Sequence, residues 1–181
     1  MTHLTPIKVA FLDRDNTLIS DPGYNCNPTH IHFMPTVIAG LKRLQAAGFQ
    51  LIIITNQSGI GRGYYSEADF KAFQSVLHAR LAAEGISILA DYFCPHLPSD
   101  KCDCRKPKPG LFSQAFQDWP IDRVHSVMIG DRPKDVLAAA AVGIRGTYVP
   151  VESEEWPVGE GPGVPVFACF DEAAGWACAT S

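Results

Sequence analysis

No stretch of the 181 residues approaches the roughly 20 consecutive apolar positions that a membrane-spanning helix needs, so no membrane partner is expected. The opening Met1-Thr2-His3-Leu4-Thr5-Pro6 lacks the basic start and apolar core of a secretory signal, which reads as a cytoplasmic protein. A long basic run is missing as well, and the formal net charge is −4. That weighs against nucleic acid, whose phosphate backbone needs a clustered cationic face. Cysteines number only six, and without an export signal a disulfide framework is disfavoured. There is no internal repeat and no low-complexity tract. What remains is an ordinary globular composition, 46% hydrophobic and 19% charged. A chain of this length should bury roughly 70% of its unfolded surface. It fits one domain over residues 1–181, expected to be a monomer.

Apolar runs alternate with helical patterns. Strands are expected at Ile7–Leu12, Gln50–Ile54, Ala90–Phe93, Ser126–Ile129, Gly146–Val149 and Val164–Cys169. Helices are expected at Pro35–Ala47, Ser66–Ala83, Leu111–Asp118 and Pro133–Val142, three of them closed by a following glycine. Leu51-Ile52-Ile53-Ile54 and Val127-Met128-Ile129 are apolar at successive residues, as in strands covered on both faces. Strand–helix alternation then gives an α/β fold: a three-layer, doubly wound parallel sheet. Such sheets bind ligands beyond the carboxyl ends of their strands. Three connections are unusual: a polar insertion over residues 20–34, a Cys- and Lys-rich loop over 94–110, and a Gly/Pro/Glu segment over 152–165 that should be exposed.

The polar residues fall where that rule places a ligand. The first strand runs out into Asp13-Arg14-Asp15-Asn16-Thr17. Two carboxylates so close repel each other, and a divalent cation relieves them. Magnesium prefers such hard oxygens and keeps positions open for phosphate. The second strand ends in Thr55-Asn56-Gln57-Ser58-Gly59, which offers a hydroxyl, amides and accessible backbone N–H groups to a phosphate oxygen, although it also makes an ordinary turn. The fourth ends in Gly130-Asp131-Arg132-Pro133-Lys134-Asp135. Asp131 sits where a further metal carboxylate is wanted, and Asp135 is also suited to cap a helix. Between them, Arg105-Lys106-Pro107-Lys108 brings a lysine able to neutralise phosphoryl charge.

A second constellation is Cys94, His96, Cys102 and Cys104, four ligands within eleven residues. Three thiolates and an imidazole match a closed tetrahedral zinc site, which is structural because no position stays open. Arg105 and Lys106 follow Cys104 directly, so the metal would anchor the loop that delivers them.

The ordered set Phe11–Thr17, Thr55-Asn56, Lys106-Pro107 and Gly130–Asp135 resembles the haloacid dehalogenase superfamily of phosphatases over about residues 7–150. One departure is Asn16, where that family usually has glycine; asparagine tolerates positive φ better than most residues, so the loop should still form. The resemblance implies a magnesium-dependent phosphatase with a Rossmann-like fold. Asp13 would be its nucleophile and Asp15 its acid–base group. The Asp13 carboxylate, the Asp15 backbone carbonyl and Asp131 would hold Mg²⁺. Thr55, Asn56 and Lys106 would bind the transferring phosphate, and Asp135 would orient the lysine or the metal shell. The zinc loop, together with Asn56-Gln57-Ser58-Gly59-Ile60-Gly61-Arg62-Gly63, is similar to the branch acting on heptose bisphosphates and on histidinol phosphate. A small phosphorylated sugar is therefore the expected substrate and histidinol phosphate the alternative, with no large cap domain. Arg62 and Arg105 are the candidate cations for a second phosphate. A nucleic-acid 3′-phosphatase or a non-enzymatic zinc-binding module is the remaining alternative; the second leaves the carboxylates unexplained.

Overall fold

The computed structural model describes residues 5–151 and 164–180. Its sheet has five strands: β1 (Val9–Leu12), β2 (Gln50–Asn56), β3 (Ile88–Cys94), β4 (Val127–Gly130) and β5 (Arg145–Tyr148). They are parallel and lie in the order β3-β2-β1-β4-β5. The unbroken apolar runs explain this arrangement. Ala10 and Leu12 of β1 point into one core and Val9 and Phe11 into a second, so each strand must be apolar at every position.

Helices α1 (Val37–Ala46), α3 (Glu67–Ala83) and α6 (Phe170–Ala179) cover the first face. Helices α4 (Gly110–Asp118) and α5 (Pro133–Ala140) cover the second. A one-turn α2 (Ser58–Gly61) follows β2. The start of α3 is a capping box: Ser66 Oγ accepts from the Asp69 N–H at 3.1 Å, and Asp69 Oδ2 accepts from the Ser66 N–H at 2.8 Å.

From β1 the chain winds outward to β2 and β3, then returns to β4 on the other side of β1. The loops after β1 and β4 consequently diverge and leave a crevice at the carboxyl end of the sheet, where doubly wound folds bind ligands. Asp13 N donates to the Ile129 carbonyl at 3.0 Å, which carries the β1–β4 ladder one residue further and sets Asp13 and Asp131 side by side.

Two expectations need correction. Val164–Cys169 is not a strand, since only Val166 bridges to Tyr148. Pro165, the second residue of that run, removes a ladder donor. Helix α6 was not foreseen; it packs small residues, Ala173, Ala174 and Ala177, into the first core. The expectation for 152–165 lies, up to residue 163, outside the described residues. The 20–34 insertion folds back on itself, closed at its base by an Ile19–Phe33 bridge and by Ser20 N donating to His32 O at 2.9 Å. It rims the crevice without forming a separate cap. Among the described residues no helix is long and apolar enough to cross a membrane.

Candidate active site

Asp13 is the first residue beyond β1, and its side chain meets Lys106 from the Cys-rich loop. Lys106 Nζ donates to Asp13 Oδ1 and to the Ile54 carbonyl, each at 2.7 Å, and lies 2.7 Å from Asp135 Oδ1. The lysine is 2% exposed, so its charge persists only because two carboxylates face it. Burial opposes the ammonium, yet Asp13 and then Asp135 hold its pKa above the ordinary lysine value. Asp135 thus pairs with the lysine, both side chains being fully buried.

One carboxylate oxygen from each of Asp13, Asp131 and Asp135 lies within 4.8 Å of the others. Burial first, then the neighbouring Asp13 and Asp135 charges, push the Asp131 carboxyl up to about 8. Three acids face Lys106 and Arg132, whose Nε lies 3.3 Å from Asp131 Oδ2, so the cluster is left short of positive charge, and all its ligand atoms are hard oxygens. The residues present therefore fit a magnesium ion.

Gly130 is required by its neighbour Asp135. A Cβ there would fall 2.6 Å from Asp135 Cβ and Cγ, so the glycine makes room for the carboxylate that holds Lys106. Gly130→Ala should cost roughly 1–3 kcal/mol of stability through overpacking. Its melting temperature should fall and its turnover with it, since Asp135 must move.

Asp15 is gripped from one side. Arg14, its neighbour in sequence, turns its side chain inward to 0% exposure and meets Asp15 through two nitrogens, Nε to Oδ1 at 2.7 Å and Nη2 to Oδ2 at 3.1 Å. Burial raises the Asp15 pKa, and Arg14 lowers it part of the way back. Gln57 Nε2 donates to Asp15 Oδ2 and to Thr55 Oγ1, both at 2.8 Å. Gln57 Oε1 accepts from Arg14 Nη2 at 3.0 Å and from the Tyr65 hydroxyl at 2.7 Å. The space beside Gly59 is filled by the Tyr65 ring, so this glycine serves side-chain packing.

Asp13, Asp15, Thr55, Asn56, Arg105 and Asp131 all line one pocket of about 210 Å³, with Tyr24, Arg132 and Lys134 at its walls. Thr55 is buried at its lining, with Oγ1 accepting from Gln57 Nε2. Asn56 differs from expectation, because its amide clamps the Lys106 main chain: Oδ1 accepts from Lys106 N at 3.0 Å and Nδ2 donates to Lys106 O at 3.1 Å. Arg62 is not among the lining residues; its guanidinium sits 5.5 Å from the centre of the Tyr24 ring, at the rim. Asn16 adopts φ 60°, the left-handed conformation that its position requires, and its Oδ1 accepts from Asp21 N at 2.9 Å.

Sequence reading missed Arg14, the hold of Gln57 on Asp15, Tyr65, Arg132 and Lys134. The last two lay in plain view beside Asp131. The first three become legible only when β1, β2 and the turn after α2 are brought together.

On the far side of Lys106, the four zinc candidates converge. Cys94 Sγ lies 3.6 Å from Cys102 Sγ and 3.0 Å from Cys104 Sγ, and His96 Nδ1 lies 3.2 Å from Cys104 Sγ. Ligands about 2.3 Å from a tetrahedral zinc stand roughly 3.8 Å apart, so this donor set fits with small adjustment. The same loop is tied to the pocket: Gln57 N donates to the Cys94 carbonyl at 2.7 Å.

A family profile described as haloacid dehalogenase-like hydrolase matches residues 23–143. The chain is 43% identical over 145 residues to the D-glycero-beta-D-manno-heptose-1,7-bisphosphate 7-phosphatase of Haemophilus ducreyi, covering 76% of this chain and 80% of that protein. It is 46% identical over 126 residues to a probable D-glycero-D-manno-heptose-1,7-bisphosphate 7-phosphatase of Thermoplasma volcanium, covering 70% and 86%. Its fold superposes with a TM-score of 0.87 on the D,D-heptose 1,7-bisphosphate phosphatase of B. bronchiseptica, a structure complexed with magnesium and phosphate. That pair is 28% identical and aligned over 97% of this chain and all of the other. The chain belongs to the haloacid dehalogenase-like hydrolase family.

Proposed function

We propose that this phosphatase removes the 7-phosphate of D-glycero-D-manno-heptose 1,7-bisphosphate by way of a phosphorylated Asp13. The observation that carries this reading is that Asp13 and Asp131 converge in a pocket that also presents Arg105, Arg132 and Lys134, with Lys106 buried behind it and paired to Asp13. An Asp13 carboxylate oxygen attacks phosphorus in line, and the bond to the sugar oxygen breaks. Asp15 gives its proton to that departing oxygen. In the second half, water attacks phosphorus, Asp15 takes the water's proton, and Asp13 leaves as carboxylate. Lys106 and Thr55 hold the transferring oxygens throughout. Magnesium, held by Asp13, Asp131 and the Asp15 carbonyl, would supply the charge that lets a phosphate dianion approach two acids.

A second phosphate needs cations of its own. Arg105, Arg132 and Lys134 line the pocket and are better placed than Arg62 at the rim. This favours a bisphosphate over histidinol phosphate, whose amine and imidazole gain nothing from three neighbouring cations. Phosphate release should be magnesium-dependent, with kcat/KM for the heptose bisphosphate at least tenfold above that for histidinol phosphate. The reverse preference would reassign the substrate.

We assign the Cys94, His96, Cys102 and Cys104 cluster to structural zinc, on the strength of four converging ligand atoms. Metal analysis of the purified protein should find one zinc per chain. Such a site can contribute on the order of 10 kcal/mol to folding its loop. A strong chelator should therefore lower both the melting temperature and turnover, and added magnesium alone should not restore them.

A further inference from the structure

Arg14 is a buried cation that the two-step mechanism leaves unused, and its surroundings explain why it is there. Its guanidinium lies between aromatic residues, 4.8 Å from the centre of the Phe73 ring and 5.4 Å from that of Phe70. Its polar partners come from four separate stretches of chain. Besides Asp15 and Gln57, Nη2 donates to the Asn25 carbonyl and Nη1 to Gln74 Oε1, each at 3.4 Å. Gln74 is fixed in turn, since its Nε2 donates to Asp91 Oδ1 at 3.1 Å. A guanidinium anchored on so many sides cannot swing, and a planar fork imposes its own plane on the carboxylate it grips.

The contacts also distinguish the two oxygens of Asp15. Oδ2 accepts from both Arg14 Nη2 and Gln57 Nε2, which occupies its two lone pairs. Among the described residues Oδ1 accepts only from Arg14 Nε, which leaves one of its lone pairs open. Gln57 could offer Asp15 its oxygen if its amide turned over. Arg14 prevents this, because a guanidinium can only donate; it and the Tyr65 hydroxyl both donate to Gln57 Oε1 and hold the amide with Nε2 toward Asp15.

We propose that Arg14, Gln57 and Tyr65 form a positioning assembly that fixes Asp15 so that Oδ1 alone carries the proton exchanged with the leaving oxygen. None of the three needs to touch substrate for this; they act through Asp15. The inference rests on Asp15 being the acid–base group of the proposed function.

A double-mutant cycle on heptose 1,7-bisphosphate hydrolysis, read as kcat/KM, tests it. Tyr65→Phe keeps the ring that packs on Gly59 and removes only the hydroxyl, so it should lower kcat/KM about tenfold, the weight of one well-made hydrogen bond. Arg14→Lys, which cannot grip two oxygens at once, should lower it on the order of 10²-fold. In an Asp15→Asn background both effects should shrink to within about twofold, because the group being positioned no longer transfers a proton. Equal losses in the two backgrounds would mean a general structural role and overturn the inference, as would undiminished kcat/KM in folded Tyr65→Phe. Should Arg14→Lys fail to fold, Tyr65→Phe decides alone. If Asp15→Asn itself keeps the wild-type rate, or the wild-type protein is inert toward this substrate, the functional reading falls and the inference with it.

Discussion

Asp13→Asn should abolish turnover, by on the order of 10⁴-fold or more, while leaving the protein folded and its zinc in place. The size of the loss follows from removing the attacking atom, which no neighbouring group replaces. The intact fold follows from local geometry. Asparagine has nearly the shape of aspartate, and Lys106 keeps Asp135 and the Ile54 carbonyl as partners. Stability should hold or rise slightly in the metal-free protein, because the Asp13 charge is one of the causes that raise Asp131. Phosphate release and a thermal melt on one preparation check both halves. A variant that loses activity by unfolding would leave Asp13 a structural residue.

Lys106→Met should carry the largest stability loss of any single change in the site. The lysine is the sole cation between Asp13 and Asp135 in their hydrogen-bond and ion-pair network, and Asp135 is 0% exposed. Breaking a buried pair from one side costs roughly 3–5 kcal/mol, which for a chain this size is roughly a 10 °C drop in melting temperature. The sign of its pH dependence is determined. The lysine's folded pKa is raised, so in the wild type its contribution is present throughout the acid and neutral range. Burial already lifts the Asp135 pKa against the pull of Lys106, so in the variant it rises further above the unfolded value. Stability then falls as pH climbs above the ordinary carboxylate range. The gap between variant and wild type should accordingly be wide at pH 7 and narrow toward pH 4. Adding Asp135→Asn should recover much of the stability at pH 7 and none of the activity. Melts across pH on the three proteins would show it.

Much of this fold was readable because the central strands are covered on both faces. Leu51-Ile52-Ile53-Ile54 and Val127-Met128-Ile129 cannot be amphipathic helices or half-exposed strands, and both proved central. Caps were equally legible: Ser66 with Asp69 opens α3 as its spacing required. The C-terminal end was not. Val164 to Cys169 has strand-forming residues, but Pro165 interrupts the ladder. Helix α6 opens with Phe170, Asp171 and Glu172 and continues in alanine, glycine and cysteine around a single Trp176. Its seat depends on Gly40 of α1, where a Cβ would strike the Phe170 ring, and no local pattern announces that match.

Within the site, each acid at a strand end was legible because a carboxylate there has few structural reasons to exist. The clamp of Asn56 on the Lys106 main chain was not legible, since such an amide looks, in sequence, like one that binds phosphate. Arg14 was passed over as the middle residue of Asp-x-Asp. Its role depends on Gln57 and Gln74, 43 and 60 residues away in sequence. Residues whose purpose is to hold another side chain leave no mark in local spacing.

All of this depends on a carboxylate oxygen of residue 13 bonding to phosphorus during turnover. Acid-quenching the enzyme during hydrolysis of the heptose bisphosphate and reducing it with borohydride would convert an acyl phosphate into an alcohol. Peptide mass spectrometry should then find homoserine at position 13 and nowhere else. A peptide that retains unmodified aspartate there, while phosphate is being released, would contradict it.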